Sequence, residues 1–487
     1  MTKTAPQIAR QWHNYIDGQW CEGSAGWLSV ECPSDSSELA QMSLAGVDDV
    51  DRAVAAARRC HESAMLSQLR PIERGRIVRK MGDYLLQNSE EIALVLTLES
   101  GKPLSESRGE VQGAARYFEY YANQAETVDG RSIPLGVDYV DYTQYEPFGV
   151  TVHIVPWNFP LEMVARSVAP ALVTGNTCVI KTPELTPLAA TYIARAAEYA
   201  GLTEGAVNIL CGYGNTAGAA LSSHSDVDLI VFTGSVATGT AIAQAAATNL
   251  VPCVLELGGK SAAIIYADAD LEAVVESVRW GIFFNAGQVC SALSRLIVHQ
   301  DIEQQLLARL KTMAESLTIG AGMDDLNMGS LVSATQQQRV SEYCDQAHVQ
   351  GARLITGGKA LFLEDTTAGA FFQPTIFADV TSQMNIAQEE VFGPVITVQR
   401  FATDAQAIQI ANSTEYSLAG GVFSNDLQRV MRVAQQLKAG QVYINEWYAG
   451  GVETPFGGTG KSGYGREKGR EALMNYVHSK NIAIKLS

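Results

Sequence analysis

Three polar residues lie beside glycines or prolines, where a loop could present them to a ligand: Asn158 in PWNFP, Glu256 in LELGGK and Cys290 in GQVC. A cysteine in a loop at a helix end could be a low-pKa nucleophile. A carboxylate at the end of an apolar strand, such as Glu256, would have a raised pKa and could act as a general base. The Asn158 amide could donate to an oxyanion. Spacing alone leaves the structural alternatives open: a packing cysteine, or a glutamate paired with a buried lysine or arginine.

Two glycine-containing turns could bind phosphate. CGYGNTAG follows a strand and opens a helix, and it carries Gly214 and Gly218 in a G-x-G-x-x-x-G pattern. FTGS, with Gly234 and Ser235, is a second turn of this kind, where free backbone N–H groups and a hydroxyl could meet a phosphate. Tight turns in an α/β sheet are an equally good interpretation of each one alone. Together they favour a nucleotide cofactor.

A third loop, KTPE, places Lys181 and Glu184 just beyond a strand. These side chains could hold the two ribose hydroxyls of an adenosine, and the carboxylate would repel a 2′-phosphate, which favours NAD over NADP. The alternative is a solvated turn with a surface ion pair, and the sequence alone favours that alternative.

The segment PFGGTGKSGYGRE (455–467) contains two patterns that are typical of phosphate loops, GTGKS and G-x-G-x-x-G. A Walker loop requires a glycine where Pro455 stands, and the nearest strand-like run, QVYIN (441–445), ends well before the motif. Too few residues follow Glu467 for the βαβ unit of a dinucleotide fingerprint. We therefore interpret these glycines as close-packing turns.

The elements that must position these loops alternate along the chain. Strands are predicted at 151–155, 176–180, 207–210, 228–232, 253–257, 262–266 and 295–299. Helices are predicted at 161–172, 187–200, 216–222, 238–248, 271–284 and 302–317, and the first hundred residues are predicted to be mostly helical, as at 50–57 and 77–86. The segment 129–145 has the alternation of an exposed hairpin. Continuous apolar strands between helices predict parallel sheets covered on both faces, with ligands beyond the carboxyl ends of the strands.

Length and composition limit the class of protein. A chain of 487 residues predicts two or three folding units, and a net charge of −17 argues against a sequence-independent nucleic-acid binder. Eight cysteines without a C-x-x-C pair, and dispersed histidines, predict neither disulfides nor a metal site and favour a cytoplasmic protein. No secretory signal is visible at the start. The uncharged stretch 229–255 contains glycines and a proline, which favours strand, helix and strand over a membrane span.

Six motifs occur in an order that resembles the aldehyde dehydrogenase superfamily of the NAD(P)-dependent, non-phosphorylating, hydrolytic type: PWNFP, FTGS, LELGGK, GQVC, EEVFGP and PFGG…SGxGRE. The resemblance implies a doubly wound, Rossmann-like cofactor domain (1–128 and 148–257) and a second α/β, catalytic domain (258–460). It also implies a small β oligomerisation arm (129–147 and 461–487) and a homodimer or homotetramer.

The resemblance also implies a reaction. Cys290 would attack the aldehyde carbon, the Asn158 amide and the Cys290 backbone N–H would hold the oxyanion, and hydride transfer to the nicotinamide would leave a thioester. Glu256 would activate the water that releases the carboxylic acid. Glu467 matches a carboxylate that relays protons in some members. Ser167 stands where many relatives have a lysine, which argues against a relay through that position.

The cofactor implied by the resemblance is NAD rather than NADP. The implied cofactor residues are Trp157, Lys181, Glu184, Gly214, Gly218, Phe232, Gly234, Ser235, Leu257, Glu390 and Phe392. The substrate, a small-molecule aldehyde, would be lined by Phe159, Glu162, Met163, Arg166, Val289, Ser291, Trp447, Tyr448, Glu453 and Phe456. Glu162 and Arg166 lie one helical turn apart and could pair with each other instead. The aromatic residues favour an aryl or medium-chain aldehyde.

Three other functions stay open. A CoA-acylating enzyme would have the same fold, but a base placed to activate water would be a liability in it. A non-catalytic binding protein could retain the fold, although all the catalytic residue types are present. The hypothesis of an NTP-hydrolysing protein depends only on the GTGKS pattern.

Overall fold

The computed structural model of the protein describes residues 8–363 and 366–486. The strands in the amino-terminal half are β1 (Gln11–Trp12), β2 (Asn14–Ile16), β3 (Gln19–Cys21), β4 (Trp27–Glu31), β5 (Glu38–Ser43), β6 (Ser132–Ile133), β7 (Tyr139–Pro147), β8 (Val150–Ile154), β9 (Thr177–Thr182), β10 (Val207–Cys211), β11 (Leu229–Thr233) and β12 (Cys253–Glu256). Those that follow are β13 (Ser261–Ile265), β14 (Leu293–His299), β15 (Arg353–Thr356), β16 (Ala360–Leu363), β17 (Thr366–Phe372), β18 (Thr375–Ala378), β19 (Val395–Phe401), β20 (Ala419–Phe423), β21 (Gln441–Ile444), β22 (Gly463–Tyr464) and β23 (Val477–Lys485).

The α-helices lie mainly between these strands. They are α1 (Val47–Glu62), α2 (Pro71–Gln87), α3 (Ser89–Ser100), α4 (Leu104–Gln124), α5 (Pro160–Val173), α6 (Tyr192–Ala200), α7 (Ala219–Ser223), α8 (Val236–Ala247), α9 (Leu271–Phe283), α10 (Glu303–Ser316), α11 (Ala334–Val349), α12 (Asn385–Gln388), α13 (Asp404–Ala411) and α14 (Leu427–Ala434). None of the described helices is both long and apolar enough to cross a membrane.

The largest sheet has the order β22-β12-β11-β8-β9-β10-β2-β3. Its five central strands, β12, β11, β8, β9 and β10, are all parallel. Numbered along the chain from β8, their order is 5-4-1-2-3, so the winding direction reverses between β8 and β11. This is the doubly wound arrangement, in which ligands bind beyond the carboxyl ends of the strands at the reversal point. The predicted fold class is confirmed.

The strands of this sheet form where the sequence predicts them. Each of the seven strands predicted between 151 and 299 has bounds within two residues of the prediction. Every residue of β8 and of β10 is buried, because helices cover both faces of the sheet. That double burial is why these strands are continuous apolar runs rather than alternating ones.

A second sheet follows in the chain, with the order β15-β18-β19-β14-β13-β20-β21. All of its strand pairs are parallel except the edge pair β15 with β18. Helices α9 and α10 pack on it, and a core of its own includes Leu293, Leu296 and Phe377. The second predicted α/β unit is therefore present.

A small three-stranded sheet has the order β23-β7-β6, with β23 antiparallel to β7 from Val477 opposite Pro147 to Lys485 opposite Tyr139. It contains the hairpin predicted at 129–145. Within 461–487, only β23 belongs to this sheet, whereas β22 pairs with β12 in the large sheet.

The first hundred residues differ from the prediction. Helices α1, α2 and α3 occupy the region from Val47 onward, but residues 11–43 form the five short strands β1 to β5. The expectation of a mostly helical start is wrong for that stretch. These strands have two to six residues, too few for a periodic pattern, and Tyr15 pairs with Ile209 almost two hundred residues away.

Candidate active site

A cavity of about 650 Å³ lies at the reversal point of the large sheet. The loop after β8 contributes Asn158, the loop after β11 contributes Gly234 and Ser235, and Glu256 ends β12. Cys290, from the other α/β unit, also lines the cavity. The fold thus brings the three candidate catalytic side chains to one space, together with a candidate phosphate-binding turn.

Cys290 lies just after a tight turn that ends α9. Asn285 and Ala286 in that turn have φ values of 48° and 50°, the left-handed region that non-glycine residues rarely adopt. Burial raises the pKa of the Cys290 thiol to about 12, and the positive charge of Arg166 opposes that rise. The expectation of a low-pKa thiol is therefore wrong, because burial outweighs the neighbouring charge.

Asn158 is held on both sides. Its side-chain Nδ2 donates to the Gln288 backbone carbonyl at 2.8 Å, and its backbone carbonyl accepts from Lys102 Nζ at 2.8 Å and from Asn285 Nδ2 at 3.0 Å. A carboxamide nitrogen carries two hydrogens, so Nδ2 has one hydrogen left to donate. The side chain is therefore fixed beside the turn that carries Cys290.

A buried carboxylate on α4 supports this loop. Glu110 Oε2 accepts from Lys102 Nζ at 2.6 Å, and Glu110 Oε1 accepts the backbone N–H of Leu161 at 3.0 Å. Pro160 stands at the first position of α5, where its missing N–H costs no hydrogen bond. A negative charge at a helix N-terminus is favourable, so Glu110 fixes both the start of α5 and the ammonium that holds Asn158.

Glu256 faces a cation that the sequence does not assign to it. Both oxygens of Glu256 are buried and have no hydrogen-bond partner among the described residues. Arg166 Nη2 lies 4.0 Å from Glu256 Oε2 and forms an ion pair with Glu467. Burial raises the pKa of Glu256 well above its usual value, Arg166 opposes the rise, and Glu467 adds to it. A raised pKa is what a general base near neutrality requires.

Arg166 thus joins Glu256 and Glu467, and its guanidinium lies 4.6 Å from the centroid of the Phe456 ring. The suggested pairing of Arg166 with Glu162 is wrong, because Arg166 instead reaches Glu467, on the segment that follows β21. Among the described residues, Ser167 Oγ donates only within its own helix, to the Met163 and Val164 carbonyls. The cation next to Glu467 therefore comes from position 166 and not from 167.

Five of the predicted cofactor residues line the cavity, namely Trp157, Gly234, Ser235, Glu390 and Phe392. Glu390 Oε1 accepts the Gly259 N–H at 3.0 Å. A Cβ at Gly258 would lie 2.5 Å from Glu390 Oε2, so glycine is required there for the carboxylate to approach. The Trp157 and Phe392 rings meet edge to face, with centroids 5.2 Å apart.

Ser235 begins α8, and its hydroxyl accepts the Thr238 N–H. Lys181 and Glu184 do pair, at 3.1 Å, and Glu184 Oε1 accepts the Gly214 N–H at 2.6 Å. These two side chains, with Gly214 and Gly218, form a group separate from the main cavity, whose lining does not include them. Phe232 and Leu257 are buried in the sheet core beneath.

Eight of the ten predicted substrate residues line the cavity: Phe159, Glu162, Met163, Arg166, Val289, Ser291, Tyr448 and Phe456. The other two predictions are wrong. Trp447 is buried behind the wall, where its Nε1 donates to the Ser291 carbonyl at 3.2 Å. Glu453 is exposed at the surface in an ion pair with Arg116. The sequence does not show that Trp447 and Glu453 lie outside the cavity, because they belong to the same loop as Tyr448, which lines it.

The cavity has further lining residues that the sequence does not predict, among them Tyr117, Trp280, Phe284 and Lys468. The Phe284 ring stacks on Phe159 with centroids 5.7 Å apart. Tyr117 and Trp280 lie on helices without a motif, so no local signal could have found them. Lys468 directly follows Glu467, a predicted site residue, and this position in the sequence could have indicated that Lys468 also lies at the site.

The glycines of PFGGTGKSGYGRE serve packing. Gly463 has a φ of 100°, and a Cβ there would lie 1.9 Å from the Leu255 carbonyl oxygen. Ser462 Oγ donates to the Gly258 carbonyl at 2.8 Å. Backbone bonds also join Phe456 to Glu467 in both directions. The segment therefore closes over β12 and carries Glu467 to Arg166, as the interpretation of close-packing turns requires.

Known proteins similar to this chain in sequence and in fold are numerous. The model of the aldehyde dehydrogenase family matches residues 20–482. An aldehyde dehydrogenase of Aspergillus niger is 41% identical over 475 residues, which cover 97% of this chain and 95% of that protein. The chain belongs to the aldehyde dehydrogenase family, a family of oxidoreductases.

Solved structures agree with this assignment. PnpE from Pseudomonas sp. WBC-3 is 42% identical, with a TM-score of 0.96 and 98% of both chains covered. Betaine aldehyde dehydrogenase from Staphylococcus aureus, solved in complex with NAD⁺, is 38% identical, with a TM-score of 0.95, over 98% of this chain and 95% of that one.

Proposed function

We propose that the protein oxidises an aldehyde to the carboxylic acid with NAD, through a thioester on Cys290 that water hydrolyses. The observation that carries the proposal is that Cys290, Asn158 and Glu256 line one cavity, at the point of the sheet where a dinucleotide is expected. The presence of Glu256 in that cavity also favours water over CoA as the acyl acceptor.

The residues fit the cofactor. Free N–H groups at the start of α8 beside Ser235 suit a pyrophosphate, and the Glu390 carboxylate suits a ribose hydroxyl. Lys181 and Glu184 would hold the adenosine ribose, where the carboxylate disfavours the 2′-phosphate of NADP. When bound, NAD supplies the hydride acceptor for the oxidation.

The chain's own residues provide the covalent chemistry. The Cys290 thiol loses its proton, a step that the charge of Arg166 favours, and its sulfur bonds to the aldehyde carbon. The free hydrogen on Asn158 Nδ2 and the Cys290 backbone N–H donate to the oxygen that becomes negative.

Glu256 then acts on the thioester. Its unpaired carboxylate removes a proton from water, the water oxygen bonds to the acyl carbon, and the carbon–sulfur bond breaks to release the acid. Glu467 forms an ion pair with Arg166 and raises the pKa of Glu256, so we propose that it adjusts the protonation of this base and does not itself transfer a proton.

The lining of the substrate end favours an aryl or medium-chain aldehyde. Phe159, Phe284 and Trp280 form a connected set of rings, with Tyr448 and Phe456 in the same cavity. Flat apolar walls of this kind suit an aromatic ring or an alkyl chain.

The test compares two variants with the wild type by rapid mixing. Cys290→Ala is expected to form no NADH from any aldehyde in a panel of aliphatic and aromatic compounds. Glu256→Gln is expected to give one equivalent of NADH in a burst, followed by turnover that is about 10²- to 10⁴-fold slower. Full turnover by Cys290→Ala would refute the mechanism, and turnover that depends on added CoA would favour the acylating alternative.

We also propose that residues 1–128 and 148–257 form the cofactor domain, 258–460 the catalytic domain, and the β23-β7-β6 sheet an oligomerisation arm of a homodimer or homotetramer. The arm exposes apolar side chains, including Val137 (92%), Val140 (44%) and Ile484 (44%). Exposed apolar surface of this kind favours an interface. Sedimentation of Val140→Asp together with Ile484→Asp is expected to show a smaller species, and unchanged mass would contradict this assignment.

A further inference from the structure

The part of the cavity that is lined by the predicted substrate residues, such as Phe456, also contains an ammonium group. This group has no ion pair among the described residues. Lys468 lines the cavity directly after Glu467, in the left-handed conformation with a φ of 60°. Its Nζ lies 5.8 Å from the centroid of the Phe456 ring, and no described carboxylate lies within 4.0 Å of it. Burial lowers the pKa of Lys468 to about 8, so the group is still mostly charged at neutral pH.

Two other cations line the cavity, and each has an acceptor. Arg166 pairs with Glu467, and Arg339 Nη2 donates to the Glu390 backbone carbonyl at 3.3 Å. Buried charges are normally paired, so an unpaired ammonium in a substrate cavity has capacity for an anionic ligand.

The acidic residues around Lys468 do not form an ion pair with it. Glu453 pairs with Arg116 at the surface instead. Glu162 lines the same cavity without an ion pair, and burial raises its pKa to about 7, so near neutrality much of it is uncharged. Burial and the positive charge of Arg166 lower the pKa of Lys468, while Glu162, Glu453 and Cys290 oppose this lowering.

We propose that Lys468 binds a carboxylate carried by the aldehyde substrate, so that the enzyme prefers formyl acids to neutral aldehydes and discriminates against cationic ones. This inference rests on the proposed aldehyde oxidation. A substrate carboxylate would supply the partner that the ammonium lacks, whereas a quaternary ammonium would lie near two positive charges, Lys468 and Arg166. The protein would then differ in substrate charge from its relative named for betaine aldehyde.

The experiment measures kcat/KM for matched aldehydes: 4-formylbenzoate, its methyl ester and 4-(trimethylammonio)benzaldehyde. A series of ω-carboxy alkanals with the corresponding alkanals covers other distances between the aldehyde and the charge. The wild type is expected to prefer the carboxylate of at least one pair. In Lys468→Met, kcat/KM for that carboxylate should fall about 10- to 100-fold, while the value for its neutral partner changes less than twofold.

Three variants guard against a merely structural effect. Lys468→Arg keeps the charge and should keep most of the preference, whereas Lys468→Glu should reverse it toward the cationic aldehyde. Lys461→Met removes an exposed lysine of the same segment and should change nothing. Equal losses for charged and neutral aldehydes in Lys468→Met, or no preference in any pair, would overturn the inference. If no aldehyde of any charge gave NADH, the proposed function itself would fail.

Discussion

Removal of the Arg166 charge tests the central electrostatic feature of the site. In Arg166→Met, Glu256 loses the only cation within 4.0 Å of it among the described residues. Coulomb's law at 4.0 Å, with an effective dielectric constant of about 20, gives about 4 kcal/mol, or about 3 pKa units. Part of this increase in the pKa of Glu256 is offset by Glu467. Without Arg166, Glu467 takes up a proton and therefore no longer raises the pKa of Glu256. A net rise of about 1 to 3 units follows.

The sign of the pH effect follows from the role of Glu256. In the proposed mechanism, thioester hydrolysis needs the ionised carboxylate of Glu256. A higher pKa therefore lowers the active fraction at a fixed pH and moves the rising limb of the rate to higher pH. At neutral pH, we expect steady-state turnover about 10- to 1,000-fold slower than in the wild type. Formation of the thiolate is also disfavoured, because Arg166 opposes the raised pKa of Cys290.

The assay records the NADH burst and the steady-state rate from pH 6 to pH 10. Arg166→Lys keeps the positive charge and should leave the rising limb near its wild-type position. Arg58→Met breaks a partly exposed pair with Asp228 outside the cavity and controls for the loss of any ion pair. A pH profile of Arg166→Met that superimposes on the wild-type profile would refute the reasoning, provided that thermal unfolding shows a folded protein.

Two further predictions concern stability. Gly463→Ala should lower the free energy of unfolding by at least about 2 kcal/mol, because its φ of 100° with a ψ of −163° is almost restricted to glycine and the Cβ would collide with the Leu255 carbonyl. Gly351→Ala, at a φ of 95° with open space around it, is the matched control and should cost less in the same urea titration. Lys102→Met should cost about 3 to 5 kcal/mol by leaving Glu110 buried without its partner, and an unchanged urea midpoint would contradict this.

Much of the fold could be predicted because its signals are local. The apolar runs that became β8 to β12 are buried on both faces, and the helices between them are long enough to show their own period. The strands β1 to β5 gave no such signal. They are short, and the hydrogen bonds of β2 go to β10, far along the chain.

The sequence by itself determined which loops hold the candidate catalytic residues. Asn158 follows β8 and Glu256 ends β12, and the connectivity of a doubly wound sheet brings such strand ends to one edge. Cys290 follows the turn that ends α9 in the other α/β unit and lines the same cavity.

Only the tertiary structure decided the electrostatics. Arg166 and Glu467 are three hundred residues apart and meet because the segment after β21 folds back over β12. Cys290 is half-buried in the cavity, where loss of contact with water raises its pKa. Lys468 faces the same cavity without an ion pair among the described residues. Charge pairing and burial depend on distances through space, and no local pattern of residue types encodes those distances.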